Sequence, residues 1–203
     1  MELTWWTPHQ YQPLQSYVDT ALLGMWNPYP LDIAVPYGAA HIIAKQIMRR
    51  LSEYYQGRIA GFEFGAFIPE QDPLTQPVIH SKFAHTLSRM LGNPVQFIIV
   101  LADRQLERDF QHGRCDTVRW LFCDWWHWLS ERTPVSRRQD VWMYLCLTSQ
   151  EYRERPEFLE MGLQPAVVTE MTAEGERLLR LWLEAAYAQI EAMWSFANTD
   201  AVE

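Results

Sequence analysis

Residues 94–103, PVQFIIVLAD, hold an unbroken apolar run from Phe97 to Ala102. Successive side chains of a strand point to opposite faces, so a strand of this composition is apolar on both. Both faces then need cover, which in α/β proteins comes from helices packed above and below a mainly parallel sheet. The flanking segments agree with that reading. Residues 59–68, IAGFEFGAFI, alternate and are rich in aromatic and branched side chains, which predicts a strand ended by Pro69. Between Gly38 and Gln56, Ile43, Ala44, Ile47, Leu51 and Tyr54 form a helical stripe closed by Gly57.

The same reasoning runs outward. Leu14, Tyr17, Val18, Ala21, Leu22 and Met25 recur at helical spacing and predict a first helix over Pro13 to Met25, stopped by NPYP. A shorter helix is predicted over 81–91 before Gly92, and another over 116–132. Residues 140–148, DVWMYLCLT, and 165–171, PAVVTEM, read as strands, with a charged helix interrupted by Pro156 between them. A last helix spans about Ala173 to Ala197. The expected fold is a single α/β domain over 1–203, with a roughly four-stranded, mainly parallel sheet flanked by helices. Two N-terminal helices and a long C-terminal helix complete it, and residues 1–12 form an arm.

Composition narrows the function classes. A chain of 203 residues can bury roughly 70% of its unfolded surface, so it needs no staples. Its formal net charge is −8, and its only lysines are Lys45 and Lys82, so arginine supplies nearly all the positive charge. A nucleic-acid partner, which needs a basic stripe along the backbone, is not expected. Arginine and the ten tryptophans are instead the residues that anchor protein interfaces. Cys115, Cys123 and Cys146 cannot form a closed set of pairs, which predicts reduced thiols and a cytoplasmic protein. Apolar runs such as FIIVLA are too short for a bilayer, so no membrane association is expected. No cofactor or metal is expected either. The chain has no G-x-x-x-x-G-K-[ST] or G-x-G-x-x-G loop and no G-x-S-x-G elbow, and apart from His127 its histidines, at 9, 41, 80, 85 and 112, are scattered.

The most crowded stretch is 115–132, CDTVRWLFCDWWHWLSER. As a helix it buries Val118, Leu121, Phe122, Trp125 and Leu129 on one side and gathers Trp120, Cys123 and His127 on the other. Cys123 and His127 alone are too few for zinc, and one helix face gives a poor geometry for a nucleophile and its base. The surplus tryptophan points to a contact surface. The leading expectation is therefore a non-enzymatic protein-binding domain of the adaptor, inhibitor or toxin-neutralising (immunity) type. Its aromatic and arginine-bearing surface would use Trp5, Trp6, Trp120, Trp126 and His127, and self-association through that surface is a weaker variant.

The alternative is a small-molecule enzyme or ligand-binding domain whose pocket at the strand carboxyl ends contains Glu63 and Asp103. Glu63 lies between Gly61 and Gly65 on one strand face, which leaves room for a ligand, or for a packed helix with an arginine on the carboxylate. Asp103 follows a buried strand, where ligands collect in open α/β sheets, and could equally cap a helix over RQLERDF. Whether the protein is an enzyme stays open at this point. If tryptophan forms a partner surface, alanine at Trp120, or at Trp5 and Trp6 together, abolishes capture of the partner and leaves the melting temperature nearly unchanged. A large drop in melting temperature with capture intact would make these residues core.

Overall fold

The computed structural model describes residues 7–26, 35–66, 77–103, 109–115 and 117–199. Its sheet has five strands, β1 (Thr20–Trp26), β2 (Ile59–Ala66), β3 (Phe97–Ala102), β4 (Phe110–Cys115) and β5 (Val118–Asp124). Their order is β2-β1-β3-β5-β4, parallel throughout except for β4, which pairs antiparallel with β5 at one edge. The helices are α1 (Pro8–Tyr11), α2 (Ala39–Tyr54), α3 (Pro77–Leu91), α4 (Trp125–Glu131), α5 (Arg138–Cys146), α6 (Gln150–Arg153), α7 (Pro156–Leu159) and α8 (Pro165–Thr199). The α/β class, the mainly parallel sheet and the long C-terminal helix are as the sequence predicts.

Every residue of β3 is buried. Phe97, Ile99 and Leu101 face a core shared with Leu22, Leu121, Cys123 and the inner sides of α2, α4, α5 and α8. Ile98, Val100 and Ala102 face a second core with Ala21, Leu23, Phe122 and the Ala84, Leu87 and Leu91 stripe of α3. Helix α2 links β1 to β2 on one face, and α3 links β2 back to β3. Both helices end at glycines in the left-handed region, Gly57 at φ 89° and Gly92 at φ 64°, where an L side chain would be strained.

Several elements depart from expectation, each for a stated reason. The stretch expected as a first helix, Pro13 to Met25, holds a short 3-10 turn at Gln15–Tyr17 and then β1. Within β1, Ala21, Leu23 and Met25 bury on one face and Leu22 on the other. A strand buried on both sides is apolar throughout, so it fits a helical template as readily as an extended one. Helix α5 was expected as a strand for the same kind of reason. It buries Val141, Trp142, Met143, Leu145 and Cys146 and so shows no amphipathic period. Residues 165–171, also expected as a strand, form the opening turns of α8; Pro165, which has no amide N–H to leave unpaired, begins it.

The 115–132 stretch is not one helix. Its first half is β4's end and β5, its second half α4, and the two meet at Asp124. The Asp124 carboxylate accepts the His127 backbone N–H at 2.9 Å and so caps α4. Val118, Trp120 and Phe122 consequently face the α3 core, while Leu121 and Cys123 face the other. Aromatic side chains also fill the larger core. Trp142 lies 5.0 Å from Trp125 and 4.7 Å from Trp126, ring centre to ring centre, and Trp182 is fully buried.

Helix α8 crosses α5 at close range. A Cβ at Gly175 would lie 2.0 Å from the Tyr144 carbonyl oxygen, so only a residue without a side chain allows the two backbones to approach. Gly175→Ala forces α5 and α8 apart, and urea unfolding should register a loss of about 1–3 kcal/mol, the usual range for overpacking. An unchanged midpoint would show that α8 shifts freely along α5.

Candidate functional site

In the sheet, β1 sits between β2 and β3, the strands joined to each other by α3. The chain thus leaves β1 in one direction and resumes on its other side. Between β1 and β3 the connections diverge, and in open α/β sheets ligands bind outside the strand carboxyl ends at such a point. On the β2 side of β1, at the same carboxyl edge of the sheet, residues from three elements come together.

Strand β1 ends in Trp26. The first turn of α2, which follows in the chain, supplies His41, whose ring stacks on Trp26 with centres 4.3 Å apart and planes 18° from parallel. Strand β2 supplies Glu63, level with Gly24 of β1. His41 Nε2 and Glu63 Oε2 are 3.2 Å apart. In the tautomer that makes this bond, Nε2–H donates to the carboxylate and Nδ1 carries the lone pair. The imidazole is therefore oriented twice, by a flat aromatic partner and by a carboxylate.

His41 also lines a cleft of about 310 Å³. One wall is α2, with His41, Ile42, Lys45 and Gln46; Pro36 closes one end. The facing wall is the α6–α7 segment, with Ser149, Glu151, Tyr152, Arg155 and Glu157. The Ser149 hydroxyl caps α6 by accepting the Tyr152 N–H at 3.3 Å, and Pro156 begins α7, so the expected interruption at Pro156 is where one short helix yields to the next. Glu151 Oε2 meets Lys45 Nζ at 3.4 Å and Glu151 Oε1 meets Arg155 at 3.1 Å. The Lys45 charge, then the Arg155 hydrogen bond, hold the Glu151 carboxyl below the usual carboxylate range. Burial, with a smaller contribution from Cys146, pushes the Tyr152 phenol up to about 12.

The residues expected to form a partner surface scatter. Trp5 and Trp6 lie outside the described residues. Trp120 is half-buried against the α3 core and covers Gly113 of β4, where a Cβ would meet its ring at 2.0 Å. Trp126 is a correction: at 6% exposure it belongs to the core beside Trp142 and offers no surface. His127 is on α4, its Nε2 3.6 Å from Asp109 Oδ1 in an ion cluster that Arg132 joins at 3.3 Å. The proposed Trp120, Cys123 and His127 stripe does not form, because in β5 the first two point to opposite sheet faces.

Of the alternative pair, Glu63 meets a histidine rather than an arginine. Asp103 is 2% exposed and follows β3, two strands from Glu63 and so on the order of 10 Å away across the sheet. Neither residue lines the cleft itself. Residues 104–108, the site of the helix that Asp103 was expected to cap, lie outside the described residues. Trp26, His41, Lys45 and Arg155 were not anticipated. Nothing in their spacing relates them, and the misread β1 hid the fact that His41 follows a strand carboxyl end.

The fold and this edge define an α/β domain with a largely apolar cleft, rimmed by charged side chains, between α2 and the α6–α7 segment. No protein-family model, no curated protein and no solved structure matches the chain. Among the described residues no helix is long and apolar enough to cross a membrane.

The two thiols Cys123 and Cys146 do not line this cleft. Cys123 and Cys146 are free and buried, and burial pushes both thiols well above their ordinary range, with Asp124 adding to the effect at Cys123. Thiolate is the reactive form. In a Cys115→Ser background, Ellman's reagent at pH 8 should therefore release almost no colour from the native protein and two equivalents after unfolding in urea. Rapid reaction of either native thiol would contradict their burial.

Proposed function

We propose that the protein binds a small polar molecule at the carboxyl edge of its sheet, in the cleft beside His41, with the His41–Glu63 pair as its proton-transferring group. The observation that carries this reading is the 3.2 Å contact between His41 and Glu63, held flat on Trp26 at the cleft's edge. A carboxylate bonded to one ring nitrogen fixes the tautomer in which the other nitrogen carries the lone pair that can take a proton. Both partners are about two-fifths exposed, so the pair is open to a ligand rather than sealed in the core. The cleft's volume also lies at the lower end of the range for small-molecule sites, roughly 300–1,000 Å³. Glu63 keeps the role that sequence reasoning gave it in the small-molecule alternative, and His41 takes the place next to it.

A protein-contact reading has one observation of its own. Leu159, Met161, Leu163 and Val167, from the end of α7 to the first turn of α8, are all exposed between 36% and 64%. Four large apolar side chains close together in sequence and open to water suit a protein partner. On that reading the contact surface is this corner, in place of Trp126. A cytoplasmic location and a single domain over the whole chain accompany either reading as proposals.

The test is a thermal-shift screen of the full chain against a panel of polar metabolites, repeated with His41→Ala and Glu63→Gln. Compounds that raise the melting temperature of the native sequence by several degrees should lose that effect in both variants. Hits that survive both substitutions, or a panel that yields none, would overturn the small-ligand reading.

A further inference from the structure

We infer that the cleft takes a small zwitterion with a compact apolar body, the charge pattern of an α-amino acid; the inference rests on the small-ligand reading of this cleft. Lys45 and Arg155 approach it from opposite walls, and each pairs with a different oxygen of the same carboxylate, Glu151. Two cations on one carboxylate leave a positive excess. Glu157 adds a second carboxylate on the α7 side of the cleft and forms no ion pair among the described residues. The lining thus carries groups of both signs, Lys45 and Arg155 for an anion and Glu157 for a cation. His41, beside them, is itself engaged by Glu63.

The internal ion pairs do not block the site. The side chains of Lys45, Glu151 and Arg155 are 35%, 61% and 59% exposed, and exposed pairs are weak because water screens them. A ligand carboxylate can take the place of Glu151 on one or both cations at little cost. Pro36, Ile42 and Tyr152 also line the cleft, and their apolar surface suits an apolar side chain. At about 310 Å³ the cleft is matched to a molecule of amino-acid size and not to a nucleotide or a long peptide. A purely anionic ligand would leave Glu157 beside it, and a purely cationic one would face the Lys45 and Arg155 excess.

Three probes of one shape separate these cases: L-phenylalanine, 3-phenylpropionate, which lacks the amine, and 2-phenylethylamine, which lacks the carboxylate. Calorimetric titration of the full chain gives the affinities, and the indole N–H resonance of Trp26, against which His41 stacks, reports the location. Phenylalanine should bind about tenfold or more tighter than either analogue, the equivalent of one charge-assisted contact. Lys45→Met should weaken phenylalanine and phenylpropionate but not the amine, and Glu157→Gln should weaken phenylalanine and the amine but not the acid. Glu151→Gln should tighten phenylpropionate by freeing its cations. All three substitutions are at the surface, so unchanged melting temperatures confirm folding. Equal or tighter binding of either analogue at the Trp26 edge would overturn the zwitterion assignment and leave the small-ligand reading standing. Failure of all three probes to bind overturns the assignment as well, and with an empty metabolite screen it removes both.

Discussion

Strand β3 has no polar face. Phe97, Ile99 and Leu101 must be covered on one side, Ile98, Val100 and Ala102 on the other, and at about 25 cal/mol per Å² of apolar surface removed from water that requirement outweighs most local preferences. The rest of the architecture follows from it. Helix α3 closes one face, and α2, α5 and α8 close the other. To reach both faces the chain has to cross over the sheet after β1 and again after β2, and those crossovers create the divergence between β1 and β3.

The larger face also explains the tryptophans. A layer made of α2, α4, α5 and α8 around one sheet leaves wide gaps between helices, and large rigid side chains fill them at little conformational cost. Trp125, Trp142 and Trp182 are among the largest fully buried side chains, with Trp126 and Trp194 close behind. Arginine works at the edges of the same layer. Arg58 lies 3.8 Å over the Trp194 ring while holding Asp19 in two hydrogen bonds, and Arg50 holds both oxygens of Glu176 at 2.7 Å. An aromatic and arginine-rich composition, which resembles that of an interface, is here largely that of an interior and its seams.

The proposed site uses different material. Its groups are His41, Glu63, Lys45, Glu151, Arg155 and Glu157, side chains that are common on any surface and carry no pattern. What distinguishes them is arrangement: a carboxylate on a histidine, that histidine on a tryptophan, and two cations on a second carboxylate across a cleft. A Cβ at Gly24, level with Glu63, would collide with Met48 of α2 at 2.2 Å. The missing side chain at Gly24 thus leaves the space that the Met48 side chain of α2 fills.

Local sequence was sufficient where burial is one-sided or where a turn residue is required. The stripe from Ile43 to Tyr54 and the glycines at 57 and 92 marked α2 and the end of α3, and the doubly apolar run 97–102 marked β3 and with it the α/β class. It misled wherever an element is buried all round, as in β1 and α5, because the period that separates helix from strand is then erased. Glu63 was legible as a candidate because glycines flank it on a strand. Its partner His41, 22 residues away in α2, was not, and neither was the Lys45–Glu151–Arg155 bridge across 106 residues. Side-chain periodicity carries information over a few turns of chain. Which carboxylate meets which cation depends on how the helices dock on the sheet, and only the packed tertiary structure decides that.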